Sequence, residues 1–554
     1  MNALNSFPLD MSVVPGTRHY TLLNSNDELP EDSELAFLHS VISDVDARLA
    51  CLEEEISTIQ EKLMLSVPRL ASHLAMLAMP SDADARLACL DETSTIQEKL
   101  MLLEKERVSL SSYRARNKAI LSPLRRMPPE VLGDIFWRTV PSKSEAQRTL
   151  NFFLVESPWT LTQICSRWRE ISLSIASLWS RIIVDYRTAC HYPVSLVEAQ
   201  IHRSRVQKLE IHFHGSDAAD PCPQTQIFQL LLQHSSRWEA LHLTLTPEII
   251  PHLTALPAGF PSLKRLYIQW NSQESQTIID CFRVAPSLVD LCVFNKYRPL
   301  AITHPTHQLT HYFLVGPWEE HRRILKLAHN LIEAHIAVKF DDEPWPQPDE
   351  PITLPHLRGL HVSRPRCLDY LKAPALEGLG FYVRQDDPPD IRHLESFIGR
   401  SACPLRKLCL RGFADVPTTT QILETLPSIT ELVIFNKSKR AAREKTNALV
   451  EALTVSDRLG TVIAPHLSVL LFACGRENDI GHQTYIQMVE SRWQAAECAL
   501  KSAALLIQLG PPLDSATFSS LDTLRQEGLD FWLLQGPGVA KEMNALVHAP
   551  SWMR

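Results

Sequence analysis

The sequence predicts an α+α/β chain: long N-terminal coiled-coil helices, then a small all-helical module, then an α/β solenoid of strand–helix repeats. Three observations carry this. A heptad seam runs through residues 31–121, and a proline-started, aromatic-rich helical pattern follows over residues 122–190. Between residues 206 and 472 one phrase, apolar-x-x-apolar-x-apolar, recurs ten times.

The totals narrow the function. A chain of 554 residues exceeds one ordinary domain, and two to four units are expected. Net charge is −8, without the broad basic field that nucleic-acid binding needs. The basic cluster Lys105, Arg107, Arg114, Arg116, Lys118, Arg125 and Arg126 reads as a solvated helix face. Twelve cysteines contain no C-x-x-C pair, which points to reduced thiols of an intracellular protein, in cytoplasm or nucleus. No secretory signal and no apolar run of ~20 residues is present, so no membrane is expected. Only 17 glycines occur, and no phosphate-cradling loop, nucleophile elbow or zinc-helix motif is found. Neither an enzyme nor a cofactor is expected. His212 and His214 in "IHFHG" offer two metal ligands, which do not make a site.

Residues 1–30 read as disordered. The segment 46–65, "DARLACLEEEISTIQEKLML", returns at 84–102 as "DARLACLDETSTIQEKLML". It reads as a tandem duplication or as sequence retained by a gene-model error. In the first copy Leu35, Leu38, Ile42, Val45, Leu49, Leu52, Ile56, Ile59 and Leu63 step alternately by three and four, a coiled-coil seam. The second copy has lost one residue, which turns its seam by roughly 100°. The seam resumes at Ile96, Leu100, Leu103 and Leu110. Pro68 and Pro80 should each stop or kink a helix. An intramolecular hairpin and self-association through the coiled coil are both open.

In residues 122–141 Pro128 and Pro129 suit a helix start, and Glu130 complements the dipole. Val131, Leu132, Ile135 and Phe136 supply an apolar face. Further on, Ser157 reads as an N-cap with Pro158 at the first helical position. Leu161, Ile164, Cys165, Trp168, Ile171 and Ile175 keep the helical period, and Trp179 with "RIIV" closes the module. The run Met127-Pro128-Pro129-Glu130-Val131-Leu132, then Ile135-Phe136, Ile164-Cys165-x-x-Trp168 and Trp179, resembles the F-box. With its coiled-coil leader, the layout is similar to the large F-box families of mushroom-forming fungi. Met127 stands where leucine is more usual, and the stretch from Phe136 to Cys165 is longer than typical.

The resemblance implies a substrate receptor of an SCF-type cullin–RING ubiquitin ligase, docked on its Skp-type adaptor and through it on a cullin. It implies that Met127, Pro128, Glu130, Val131, Ile135 and Phe136 face the adaptor, and that Cys165, Trp168 and Trp179 pack the module. A scaffold whose F-box no longer engages the adaptor is the alternative.

The ten phrases are centred on Leu209, Leu241, Leu266, Leu291, Ala334, Leu360, Leu379, Leu408, Leu432 and Leu470. Helix-like stretches such as "QTQIFQLLLQ", "SQTIIDCF", "LESFIGR" and "TTTQILETLP" lie between them. Stacked copies of such a unit make a solenoid over residues 195–480; a generic α/β domain is the other reading. The phrase resembles the core of degenerate leucine-rich repeats, whose ladder asparagine appears once, as Asn271. Residues between the apolar positions should line the open, concave side. Arg265, Tyr267, Gln269, Phe294, His361, Tyr382, Lys407, Arg411, Glu431 and Phe435 are the candidates for binding a target protein, with Lys208, Glu210, His212 and His335 on the same side. Residues 481–554 should cap the end.

Overall fold

A computed structural model of the chain describes residues 14–24, 30–76, 83–140, 158–187, 193–256, 259–273, 278–341, 345–347, 350–383, 391–412, 416–436, 442–455, 462–476, 480–509, 515–536 and 539. The chain is α+α/β. Of its two compact units, the first ends at Leu178 and the second takes up the chain at Trp179.

The first unit begins with helices α1 (Arg18–Asn24), α2 (Asp32–Met76) and α3 (Ala83–Ile120). The seam of α2 is inside: Leu38, Ile42, Val45, Leu49, Leu52, Ile56 and Ile59 are buried. Leu103, Leu110 and Tyr113 of α3 close over its central part. The hairpin reading therefore holds, and the chain covers its own seam. Ion pairs Arg48–Glu106 (2.9 Å) and Arg114–Asp46 flank it. In the second copy Ile96 and Leu100 are half-buried while Met101 and Leu102 are exposed, so the seam resumes where the deletion requires.

Three expectations are corrected here. Residues 18–24 are ordered: α1 buries Leu22 against Leu38 and Ile120, and His19 Nε2 bonds Asn117 Oδ1 at 2.8 Å. Pro68 does not stop α2, which continues to Met76; Pro80 lies outside the described residues. The basic cluster is not uniformly solvated. Arg125 is buried and donates to the Leu22 carbonyl (3.0 Å), and Arg114 and Lys118 both meet Asp46.

The helical module comprises α4 (Pro123–Arg126), α5 (Pro129–Thr139), α6 (Leu161–Ile164) and α7 (Ser166–Ser174). Ser122 caps α4, and Pro129 opens α5 with Pro128 at its N-cap, as the prolines predict. Leu132, Gly133 and Phe136 are buried. A Cβ at Gly133 would lie 2.8 Å from Ile175 Cδ1, so a larger residue there would push the tip of that side chain aside. The expected single helix after Pro158 is two. Cys165 is extended (φ −157°, ψ 170°), and its Sγ accepts the Trp168 N–H at 3.4 Å, restarting the helix. Pro158 lies in a turn before α6, and Ser157 is outside the described residues.

Among the described residues, the second unit is built on one parallel sheet of fourteen strands in chain order. They are β1 (Arg181–Asp185), β2 (Leu209–His214), β3 (Trp238–Leu245), β4 (Arg265–Trp270), β5 (Asp290–Asn295), β6 (His311–Gly316) and β7 (Glu333–Val338). Then follow β8 (Gly359–Val362), β9 (Gly378–Val383), β10 (Lys407–Gly412), β11 (Glu431–Asn436), β12 (Val469–Arg476), β13 (Ser502–Leu509) and β14 (Asp530–Gln535). Ile352–Thr353 and Leu371–Lys372 form a separate small ribbon. Helices including Pro221–Leu232, Ile391–Ser401 and Val416–Thr425 connect strands, where three of the helix-like stretches predicted them. The stretch "SQTIIDCF" differs: Ile279 bridges Ile302, and a 3₁₀ turn follows at Cys281–Arg283.

Nine of the ten phrases lie in register on strands. The first is displaced by two. Val206 is 88% exposed, and Ile211 and Phe213 pair with Leu241 and Leu243 after an irregularity at Leu209/Glu210. The sheet also holds strands no phrase marked. β1, assigned to the module on sequence, pairs with β2. β6 carries Tyr312 and Leu314 of the phrase Leu309-Tyr312-Leu314, whose central tyrosine hid it; Tyr312 divides the gap between Leu291 and Ala334 into steps of 21 and 22. β13 and β14 do not cap the sheet but extend it.

Replacing Leu52 by Ala should lower the stability of the helical hairpin by about 2–4 kcal/mol. Chemical denaturation followed by helical circular dichroism measures it.

Candidate functional site

Strand alternation gives the sheet two faces. One packs under the connecting helices in a continuous core. On the other, in-register pairing aligns side chains into rows. The central row runs Ile183, His212, His242, Tyr267, Cys292, Phe313, His335 and His361, then Gly380, Cys409, Val433, Leu471, Ala504 and Trp532. Its first half is imidazole and aromatic apart from Ile183 and Cys292; its second half is small or apolar.

The rings touch. His212 and His242 stack at 4.3 Å with 6° between planes, and Tyr267 continues the stack at 5.5 Å. His335 and His361 stack at 4.2 Å. The neighbouring row is charged: Glu210 bonds His212 Nε2 (3.0 Å), Glu333 bonds His335 Nε2 (2.8 Å), Asp290 meets His311 (2.7 Å), and Lys407 meets Glu431 (3.7 Å). Gly380 makes room for His361, since a Cβ there would sit 2.2 Å from the His361 Nδ1. Burial, and then His335, hold the His361 imidazole well below the usual histidine range.

The candidate residues all lie on this face, as alternation predicts, but they are not equivalent. Arg265, Tyr267, Gln269, His361, Tyr382, Lys407 and Glu431 are half-buried and Phe294 is exposed. The Arg411 guanidinium lies over Tyr382 at 5.2 Å and Phe435 at 5.8 Å. Phe435 is corrected from a contact residue to a packing residue: it is buried in a cluster with Cys409, Val433, Leu471, Ala473, Leu506 and Val539. His242, Phe313, Glu333 and the exposed Trp532 were missed as site residues. Period-two reading flags the first three, but their importance comes from cross-strand partners.

In the helical module Pro128, Glu130 and Val131 are exposed, and Met127 and Ile135 are half-buried. Arg167 fixes this turn by donating to the carbonyls of Arg125 and Met127. Phe136 is corrected: it is fully buried and packs on Trp168 at 4.7 Å, so it is unavailable to a partner. Cys165 caps α7. Trp179 is fully buried but belongs to the second unit, where the Arg203 guanidinium lies over its ring at 4.5 Å.

No family model and no curated protein matches the chain. Among the described residues no helix is long and apolar enough to cross a membrane.

Burial pushes His214 and His321 down to about 3. Unfolded histidine titrates near 6.5, so between these values the unfolded chain binds more protons. Stability is therefore complete above pH ~6.5 and falls as pH falls, by about 2 kcal/mol per residue at pH 5. His321→Gln, though less stable at pH 7.5 for loss of its 2.8 Å bond with the Tyr312 hydroxyl, should lose less between pH 7.5 and 5. Denaturation midpoints at the two pH values measure this. Gly380→Ala should displace His361 and cost about 1–3 kcal/mol in the same assay.

Proposed function

We propose that this chain is the substrate receptor of an SCF-type cullin–RING ubiquitin ligase. Its helical module is an F-box for the Skp-type adaptor, and its sheet unit is a degenerate leucine-rich-repeat solenoid that holds a target protein. The chain itself makes and breaks no bond. It raises the local concentration of target beside the charged ubiquitin enzyme. One observation supports the reading above others: α5 divides its apolar residues. Leu132 and Phe136 are buried, while Pro128 and Val131 are exposed and Ile135 is half-exposed. Leu124, Trp137 and Ile164 are exposed as well. A small helical module that leaves this much apolar surface in water is suited to a protein partner.

The target would meet the open face, where Arg265, Tyr267, Gln269, Phe294, Tyr382 and Arg411 mix charge with aromatic surface. The expected compartment is intracellular.

The full chain should co-purify with the Skp-type adaptor, and a Pro128→Ala/Ile135→Asp variant with unchanged helical signal should not. Binding retained by that variant, or absent in the wild type, would sink the proposal.

A further inference from the structure

We propose that Glu210, His212 and His242 form a binding site for a divalent transition-metal ion such as Zn²⁺ or Co²⁺. Among the described residues this is the one group of three potential ligands whose donor atoms all lie within 4.8 Å of one another. The backbone fixes the constellation. Glu210 and His212 are two apart on β2 and so share a face, and His212 pairs directly with His242 on β3. None of this depends on the ligase reading.

The chemistry fits a borderline ion: one carboxylate and two imidazoles, with water for the remaining position. His212 Nε2 and Glu210 Oε1 are 3.0 Å apart. Two ligands bound at about 2.0–2.1 Å in a tetrahedral sphere lie roughly 3.3 Å apart. An ion can therefore replace the proton shared by this pair with little movement of either group. Arg181 holds the other carboxylate oxygen, Oε2, at 3.2 Å and leaves Oε1 directed at the imidazole. His242 has to move. Its ring lies parallel to that of His212, so their lone pairs run side by side rather than converging. His242 is half-exposed, and a tilt out of the stack brings its nitrogen to the ion.

The sheet supplies its own control. Glu333, His335 and His361 repeat the pattern of Glu-x-His with a stacked histidine on the next paired strand. They do not bring three donor atoms within the same distance, and the close fit of Gly380 limits the tilt of His361.

Metal-free full-length protein titrated with Co²⁺ tests the site. The expected result is one equivalent giving visible ligand-field bands, displaced by Zn²⁺. Glu210→Gln, which keeps a hydrogen-bonding side chain beside the stack, and His242→Gln should each weaken binding by about tenfold or more, with the circular dichroism spectrum unchanged. His335→Gln should leave it intact. No bands in the wild type, bands undiminished in both site variants, or thiolate-to-cobalt charge-transfer bands reporting cysteine ligation would overturn the proposal.

Discussion

An interior strand of the sheet depends on its two neighbours. Its backbone N–H and C=O groups are satisfied by parallel pairing on either side, and its inward apolar residues are covered by the adjoining strands and the connecting helices. Everything else in this unit follows from that pairing being in register. Ile211, Leu241, Leu266, Leu291 and Tyr312 succeed one another on the core side because their strands are aligned residue for residue. The same alignment gathers His212, His242 and Tyr267 on the other side. Core and open face are two consequences of one constraint.

The turns between strands carry backbone carbonyls that the sheet does not satisfy. Arginine meets this need repeatedly. Arg237 donates to the carbonyls of Ser204 and Gln207, Arg400 to those of Leu368 and Leu371, and Arg492, almost fully buried, to those of Leu453, Ile463 and Ala464. A guanidinium has five donors in a fixed fork and spans two or three carbonyls at once. Buried asparagines at strand ends also donate, Asn295 to the Val315 carbonyl on the next strand and Asn436 to the Thr446 hydroxyl. Asn271, singled out by its spacing, instead accepts a hydrogen bond from Gln269. The donors that satisfy these groups differ from turn to turn.

The site was legible to different depths. Alternation placed the open-face candidates that lie on strands on one side, because a period of two survives irregular spacing; Lys208 lies before β2. Exposure was less readable. Phe435 looks like a contact residue by pattern, and only its neighbours Val433, Leu471 and Leu506 bury it. Phe136 is similar: it shares an apolar helix face with Ile135, and Trp168 decides which of the two is covered.

The heptad steps dictated the long helices and which of their residues are buried, because that information lies within one turn or two of the chain. The prolines at 128 and 129 dictated the start of α5 for the same reason. The apolar phrase dictated strands and their inward residues in nine of its ten occurrences, the exception being Val206-Leu209-Ile211, whose frame is displaced by two. Tertiary structure alone decided that α2 closes on α3, that Tyr312 completes a strand, that β13 and β14 extend the sheet, and that Glu210, His212 and His242 converge. These depend on contacts between residues far apart in sequence, and no local period encodes them.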